Sequence, residues 1–381
     1  METRSCVCAG AAALYVLTLL WRIHSDREAS GTWFGALCGA LCGALGASLY
    51  YLAPPAPCAV ALLICSFILV CVRRRRETLL QGRRAVLVTG CDSGFGLALV
   101  QRLSEEGLTV FAGVLDVDGP GAGLLRERGH EDLQVLQLDV TDGAQVETAH
   151  RFISAQVEHT GLWGLVNNAG VLQCPTDAEL QPVSWFRRSV EVNFLSAVRM
   201  SQLFLPLLRK SRGRLVNVSS MAGEVPMPMF SSYGASKAAL SVFSRVLRME
   251  LSPWGVHVAL IQPAGFRTKI FGGREDLPLN RDHILSALSS EAREDYGTAY
   301  VSSLLDLPSK MSQMSPEDLT PVVEDMVHAL LSVHPRPLYT PGRMAWLLPF
   351  LHRCCPTAVF EPLVWRLFNM VDCRPAGLKT S

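Results

Sequence analysis

A short run of β-branched and aliphatic residues that breaks into glycines, then turns at once into a helix-like stretch, is compatible with few folds. Residues 85–89 (Ala-Val-Leu-Val-Thr) have the unbroken apolar texture of a strand covered on both faces. They run directly into Gly90, Cys91, Asp92, Ser93, Gly94, Phe95 and Gly96, and residues 97–106 then read as a helix. Alone, a glycine cluster is often only a turn. Between a strand and a helix it has a further use, because small residues let the backbone approach a pyrophosphate while the helix N-terminus supplies amide donors and a favourable dipole.

The same texture repeats downstream. Residues 109–115 read as a second strand ending at Asp116, twenty residues after Gly96. An acid at that distance accepts hydrogen bonds from the adenosine ribose of a dinucleotide and repels a 2′-phosphate. Neither Ser93 nor Val117 supplies a basic group there, so NAD is expected rather than NADP. A third strand over 135–138 ends at Asp139 and Val140, and a fourth over 163–166 ends at Asn167, Asn168, Ala169 and Gly170. Strands alternating with helix-length segments predict an α/β fold with a Rossmann-type, doubly wound parallel sheet, which binds ligands at the carboxyl ends of its strands. Gly90, Ser93, Gly94, Phe95, Gly96, Asp116, Asp139, Val140, Asn167, Ala169 and Gly170 are the candidate cofactor contacts.

Residues 232–237, Ser-Tyr-Gly-Ala-Ser-Lys, open a predicted helix that runs to about Leu251. Tyr233 and Lys237 are then i, i+4 neighbours, and an ammonium beside a phenol lowers a pKa of about 10 toward the range of a general base. Upstream, Arg214 to Ser220 reads as a fifth strand ending in two serines. The combination of TGxxxGxG, NNAG, a strand-end Ser and YxxxK resembles the short-chain dehydrogenase/reductase family over roughly residues 83–270. The resemblance implies hydride transfer from an alcohol carbon to a nicotinamide. It assigns Tyr233 as acid/base, Lys237 to the nicotinamide ribose, Ser220 to the substrate oxygen, Asn193 to a proton relay and Thr268 to the cofactor. The family's thirteen-residue offset before the Tyr selects Ser220 over Ser219. Where the family has Pro-Gly, this chain has Pro263-Ala264-Gly265, so an extra methyl must be housed.

Closer runs, among them residues 111–116, 161–168 and 207–221, are similar to the membrane-bound 17β-hydroxysteroid dehydrogenases of that family. That similarity implies oxidation of steroids such as estradiol and testosterone to their ketones at the endoplasmic reticulum membrane. Oxidation of an 11β-hydroxysteroid, or of retinol, stays open at this point. A membrane-anchored nucleotide sensor without catalysis would be expected to have lost Tyr233 or Lys237, and both are present. The apolar segment 221–230, between Ser220 and Tyr233, is placed to wall a cleft for a lipophilic secondary alcohol.

Charge and cysteine distribution set the frame around this core. With 35 Lys and Arg against 34 Asp and Glu, the chain has no positive excess with which to bind nucleic acid. Residues 1–72 contain only six charged side chains, all of them outside three apolar stretches over 6–21, 32–53 and 58–72. The second is long enough to cross a bilayer alone, and the cluster Arg73 to Arg76 reads as a stop-transfer signal that leaves the following domain cytoplasmic. Residues 1–76 are thus expected to form N-terminal transmembrane helices, 77–275 the catalytic core, and 276–381 a substrate-cleft and C-terminal segment. Gly35, Gly39 and Gly43 lie on one helical face, a pattern that permits a homodimer. The apolar tail segments 344–351 and 359–368 are too short to span and suit either an interface with membrane lipid or packing on the domain. Seven of the twelve cysteines fall before residue 72, and the other five lack metal-site spacing, so no metal is expected.

Overall fold

The structure is a computed structural model and describes residues 84–128, 132–272, 277–368, 371 and 373–378, together with Tyr15 and Leu17. The predicted transmembrane stretches, Arg73 to Arg76 and the Gly35, Gly39 and Gly43 face lie outside the described residues. Among the described residues, no helix is long and apolar enough to cross a membrane. The chain divides into two compact units, residues 1–79 with 332–337, and residues 80–331 with 338–381.

The second unit is built on seven parallel strands in the order β3-β2-β1-β4-β5-β6-β7. These are β1 (Ala85–Thr89), β2 (Thr109–Val114), β3 (Leu133–Gln137), β4 (Gly164–Asn167), β5 (Arg214–Val218), β6 (His257–Ile261) and β7 (Leu338–Tyr339). Helices α1 (Gly94–Glu105), α2 (Pro120–Arg128), α3 (Gly143–Gln156), α4 (Val183–Val190), α5 (Ser196–Ser211) and α6 (Ser231–Leu251) alternate with the first six strands. Downstream come α7 (Leu277–Ala287), α8 (Ser290–Leu304), α9 (Leu307–Met314), α10 (Thr320–Leu331), α11 (Leu347–Cys354) and α12 (Thr357–Phe368). The order reverses between β1 and β4, and a doubly wound sheet opens its binding crevice at such a reversal.

The period of two along each strand divides the core into two layers. Val86, Val88, Val110, Ala112 and Val114 face Leu99, Leu103 and Leu125 of α1 and α2, and Val323 and Met326 of α10. Leu87, Phe111, Leu165 and Leu215 face Ile153 of α3 and Phe204 and Leu208 of α5. Burial on both faces is why these strands read as continuous apolar runs. β3 starts two residues earlier than the sequence suggested, because as an edge strand it is only half-buried and has little apolar signal. Helix α1 also starts earlier, at Gly94, inside the glycine loop.

Candidate active site

The carboxyl ends of β1, β4 and β5 open onto a cavity of about 530 Å³. Gly90 has φ +69° and Gly94 φ +59°, a backbone region that side chains disfavour. Gly96 has no room for one, since a Cβ there would sit 2.3 Å from the Gly90 carbonyl oxygen. Ser93 ends the loop in extended conformation and makes no side-chain bond to the first helical amides. A glycine cradle opening onto uncapped amides of a helix N-terminus fits a pyrophosphate.

Of the residues expected from sequence, Gly90, Ser93, Gly94, Phe95, Asp139, Val140, Ala169, Gly170, Ser220, Tyr233 and Thr268 line the cavity. Thr268 packs against Gly94. Asp116 lies exposed at the end of β2, with its carboxylate accepting the Asp118 amide at 3.0 Å. Asn167 turns inward, donating to Asn217 Oδ1 at 2.8 Å across β4 and β5. The neighbouring Asn168 points the other way, lines the cavity and donates to the carbonyls of Thr89 and Gly90 at 2.9 and 3.1 Å. Sequence reasoning passed over Asn168, although strand alternation carries that distinction. It also passed over Asp92, whose carboxylate accepts the Leu115 amide at 2.9 Å and the Asp116 amide at 3.2 Å, fixing the end of β2.

Tyr233 and Lys237 both face the sheet from α6 and are buried. Lys237 Nζ donates to the Val218 carbonyl at 2.9 Å and lies 5.8 Å from the centroid of the Tyr233 ring. Asn193 sits in a π turn, Glu191–Leu195, that joins α4 to α5. Such turns recur at functional sites because they displace one residue from the helical register. The Asn193 amide is fixed by the Val171 backbone at 2.7 and 2.9 Å and by Ser236 Oγ at 3.0 Å. A Cβ on Gly170 would come within 3.2 Å of both Asn193 Oδ1 and Lys237 Nζ, so a larger residue would have to push one of these side chains aside by a few tenths of an ångström.

The two serines ending β5 part company. Ser219 is buried, bonding to the Lys237 carbonyl at 2.8 Å and to Ser241 at 2.9 Å. Ser220 accepts the Ala222 amide at 3.2 Å and hydrogen-bonds Tyr233. Electrostatics correct one expectation. Burial pushes Tyr233 up to about 12, opposed by its bond to Ser220, and burial pulls Lys237 down to about 8. Desolvation is the largest cause for both groups, so the chain's own surroundings raise the phenol pKa rather than lower it.

The extra methyl of Ala264 is housed by Gly342, which has φ +105° and where a Cβ would lie 2.9 Å from that methyl. Met221, Met227, Phe230, Leu172, Ile270 and Met311 form the apolar side of the cavity. Among the described residues, no group of three His, Cys, Asp or Glu side chains could hold a metal ion.

Comparison with known proteins agrees with this geometry. A family model for short chain dehydrogenases matches residues 84–276. Estradiol 17-beta-dehydrogenase 2 of Mus musculus is 43% identical over 95% of this chain and 94% of its own length. The 11-beta-hydroxysteroid dehydrogenase type 2 of Homo sapiens is 40% identical over 78% of this chain and 73% of its own. A short-chain dehydrogenase of Streptomyces avermitilis superposes with a TM-score of 0.59 at 25% identity, covering 75% of this chain and 97% of that one. The matched region holds the glycine loop, the Asn-Asn-Ala-Gly turn, the strand-end serines and the Tyr-Lys helix in their places on one sheet, and the chain belongs to the short-chain dehydrogenase family.

Proposed function

We propose that the chain is an NAD-dependent hydroxysteroid dehydrogenase that oxidises 17β-hydroxysteroids, estradiol to estrone and testosterone to androstenedione. The observation that carries this reading is the pairing of Ser220 and Tyr233 in a cavity also lined by the apolar side chains of Leu172, Met221, Met227, Phe230, Ile270 and Met311. The name of the mouse relative supplies the position of the hydroxyl. Gly90, Ser93, Gly94, Phe95, Gly96, Asp116, Asp139, Val140, Ala169, Gly170 and Thr268 would hold the NAD, which supplies the hydride acceptor when bound, whereas the inward-turned Asn167 would support them from behind by tying β4 to β5. Ser220 orients the alcohol oxygen, and Tyr233 takes the hydroxyl proton. Lys237 keeps a positive charge beside the developing phenolate and would hold the nicotinamide ribose. Asn193, fixed by the Val171 backbone, takes the family's proton-relay position.

Two carboxylates at the end of β2, Asp92 and Asp116, support the choice of NAD, because a 2′-phosphate would meet negative charge there. The nearby guanidinium of Arg126 is committed to the Val117 carbonyl at 2.6 Å. Repulsion between like charges a few ångströms apart near a surface is worth roughly 1–3 kcal/mol. Asp116→Ala is therefore expected to reduce the NAD-over-NADP ratio of kcat/KM by about 10- to 100-fold. An unchanged ratio would remove Asp116 from cofactor selection.

A second reading, oxidation of an 11β-hydroxysteroid, is favoured by the human relative at 40% identity. Membranes carrying the full chain, given NAD and a panel of a 17β-hydroxysteroid, an 11β-hydroxysteroid and retinol, separate the readings. The 17β-alcohol is expected to lead by about tenfold or more in kcat/KM, a difference of about 1.4 kcal/mol. A lead for either of the others transfers the assignment to it.

We further propose that residues 1–76 anchor the protein in the endoplasmic reticulum membrane, with residues 77–275 as a cytoplasmic catalytic core and 276–381 completing the substrate cleft. Association of two copies through Gly35, Gly39 and Gly43 is part of the same proposal. The tail lends support: Leu348, Phe360 and Val364 of α11 and α12 pack inward, while Trp346, Phe350, Leu363 and Trp365 stay exposed beside Arg353 and Arg366. Tryptophan and arginine flanking an apolar face is the composition of a helix lying in a lipid headgroup region.

A further inference from the structure

One largely buried carboxylate lies outside the catalytic set yet ties it to the C-terminal helices. Glu224 belongs to the segment 221–230, and its side chain is only 11% exposed. Three elements converge on it. Arg245 of α6 pairs with Oε1, Gln262 after β6 donates to the same oxygen at 3.2 Å, and Arg353 of α11 donates to Oε2 at 2.8 Å. Gln262 is buried and also bonds Ser241 Oγ at 3.1 Å, and Ser241 in turn bonds the Lys237 carbonyl at 2.8 Å. A carboxylate only accepts, and here both oxygens are committed to donors from different parts of the fold.

Beneath this polar node lies an apolar one. Met221 and Val225 pack with Leu348 of α11 and Phe360 and Val364 of α12, and Met227 rests on the same cluster. Met221, Ala222, Met227 and Phe230 of this segment also line the cavity. Gly223 packs so closely on α6 that a Cβ there would meet the Lys237 carbonyl carbon at 2.8 Å. The segment is thus held between the catalytic helix on one side and the C-terminal helices on the other.

We propose that Glu224 is a positioning residue for a bulky alcohol: with Arg353 it clasps α11 to segment 221–230 and so sets the shape of the apolar wall of the cavity. This rests on the reading of the cavity as an alcohol site. A large rigid alcohol that fills the cavity feels the wall, whereas a small one such as cyclohexanol reaches Ser220 and Tyr233 without touching it. The clasp therefore governs KM for the large alcohol and leaves the chemical step alone.

Arg353→Met in the full chain tests this, with Arg353→Lys as the conservative control. Because Arg353 is half exposed and screened by solvent, the expected rise in KM for the 17β-hydroxysteroid is about five- to tenfold, with kcat and the KM for NAD within about twofold. Cyclohexanol kinetics are expected to be unchanged, and Arg353→Lys to lie near wild type. In hydrogen exchange, the amides of residues 221–230 are expected to exchange faster in Arg353→Met, a readout that needs no turnover. Unchanged exchange overturns the clasp. Faster exchange with an unchanged steroid KM, or an equal loss with cyclohexanol, overturns its role in substrate positioning. Faster exchange in a protein that oxidises no alcohol in its wild-type form leaves the clasp standing and overturns the alcohol-site reading, and with it the positioning role.

Discussion

Tyr233→Phe is expected to lower kcat/KM for alcohol oxidation by about 10²- to 10⁴-fold, the range spanned by a positioned general base. The substitution removes one oxygen and keeps the ring, so packing against Phe230, with centroids 6.3 Å apart, is preserved. What disappears is the acceptor for the substrate proton and the bond to Ser220. The pH dependence follows from the same burial. With Tyr233 pushed up to about 12, the phenolate fraction grows about tenfold per pH unit through neutrality. Wild-type oxidation is thus expected to rise with pH and to bend near pH 8, where Lys237 loses its charge. Steady-state rates from pH 6 to 9 check this, and a Phe variant with wild-type turnover contradicts the assignment of Tyr233.

Lys237→Met carries the second large effect. A unit charge about 6 Å from the phenol, at an effective dielectric near 20, contributes about 3 kcal/mol, so kcat/KM is expected to fall about a hundredfold or more. Stability moves in a way that catalysis does not. Burial lowers Lys237 to about 8 in the folded chain from its ordinary 10.5. Between those values the unfolded chain binds the extra proton, so wild-type stability gains as pH rises from about 8 to 10.5, by at most roughly 3 kcal/mol. Below about pH 8 both states are protonated, and the full cost of the buried ammonium is present. The Met variant is expected to lack this gain. Denaturant unfolding of both proteins at pH 7.5 and pH 10 measures it, and an equal pH response in the two would show that the ammonium is not desolvated.

These effects hinge on side chains of unequal legibility. Strands β1, β2, β4 and β5 were readable because a strand buried on both faces is mostly apolar, and their ends placed Gly90, Gly170 and Ser220 at the crevice. The Tyr233 and Lys237 pair was readable because helical spacing alone brings them to one face. The direction of the Tyr233 shift was not, since desolvation depends on what packs around α6 from the rest of the sheet. Asp92 and Glu224 had no local signature. Each acts on residues far along the chain, Asp92 on the end of β2 and Glu224 on α6 and α11, and such partners become neighbours only through the topology. The tail was half legible: its apolar residues were plain, but which of them turn inward depends on the exposed register of α11 and α12 against segment 221–230.

The most direct measurement follows the carbinol hydrogen. With a 17β-hydroxysteroid deuterated at C17 and the purified full chain, mass spectrometry of the products locates the label. One deuterium is expected in the reduced nicotinamide for each ketone formed, with none released to water, and the reaction is expected to be lost in Tyr233→Phe. Deuterium appearing in water, or ketone formation undiminished in Tyr233→Phe, would contradict hydride transfer with Tyr233 as the general base.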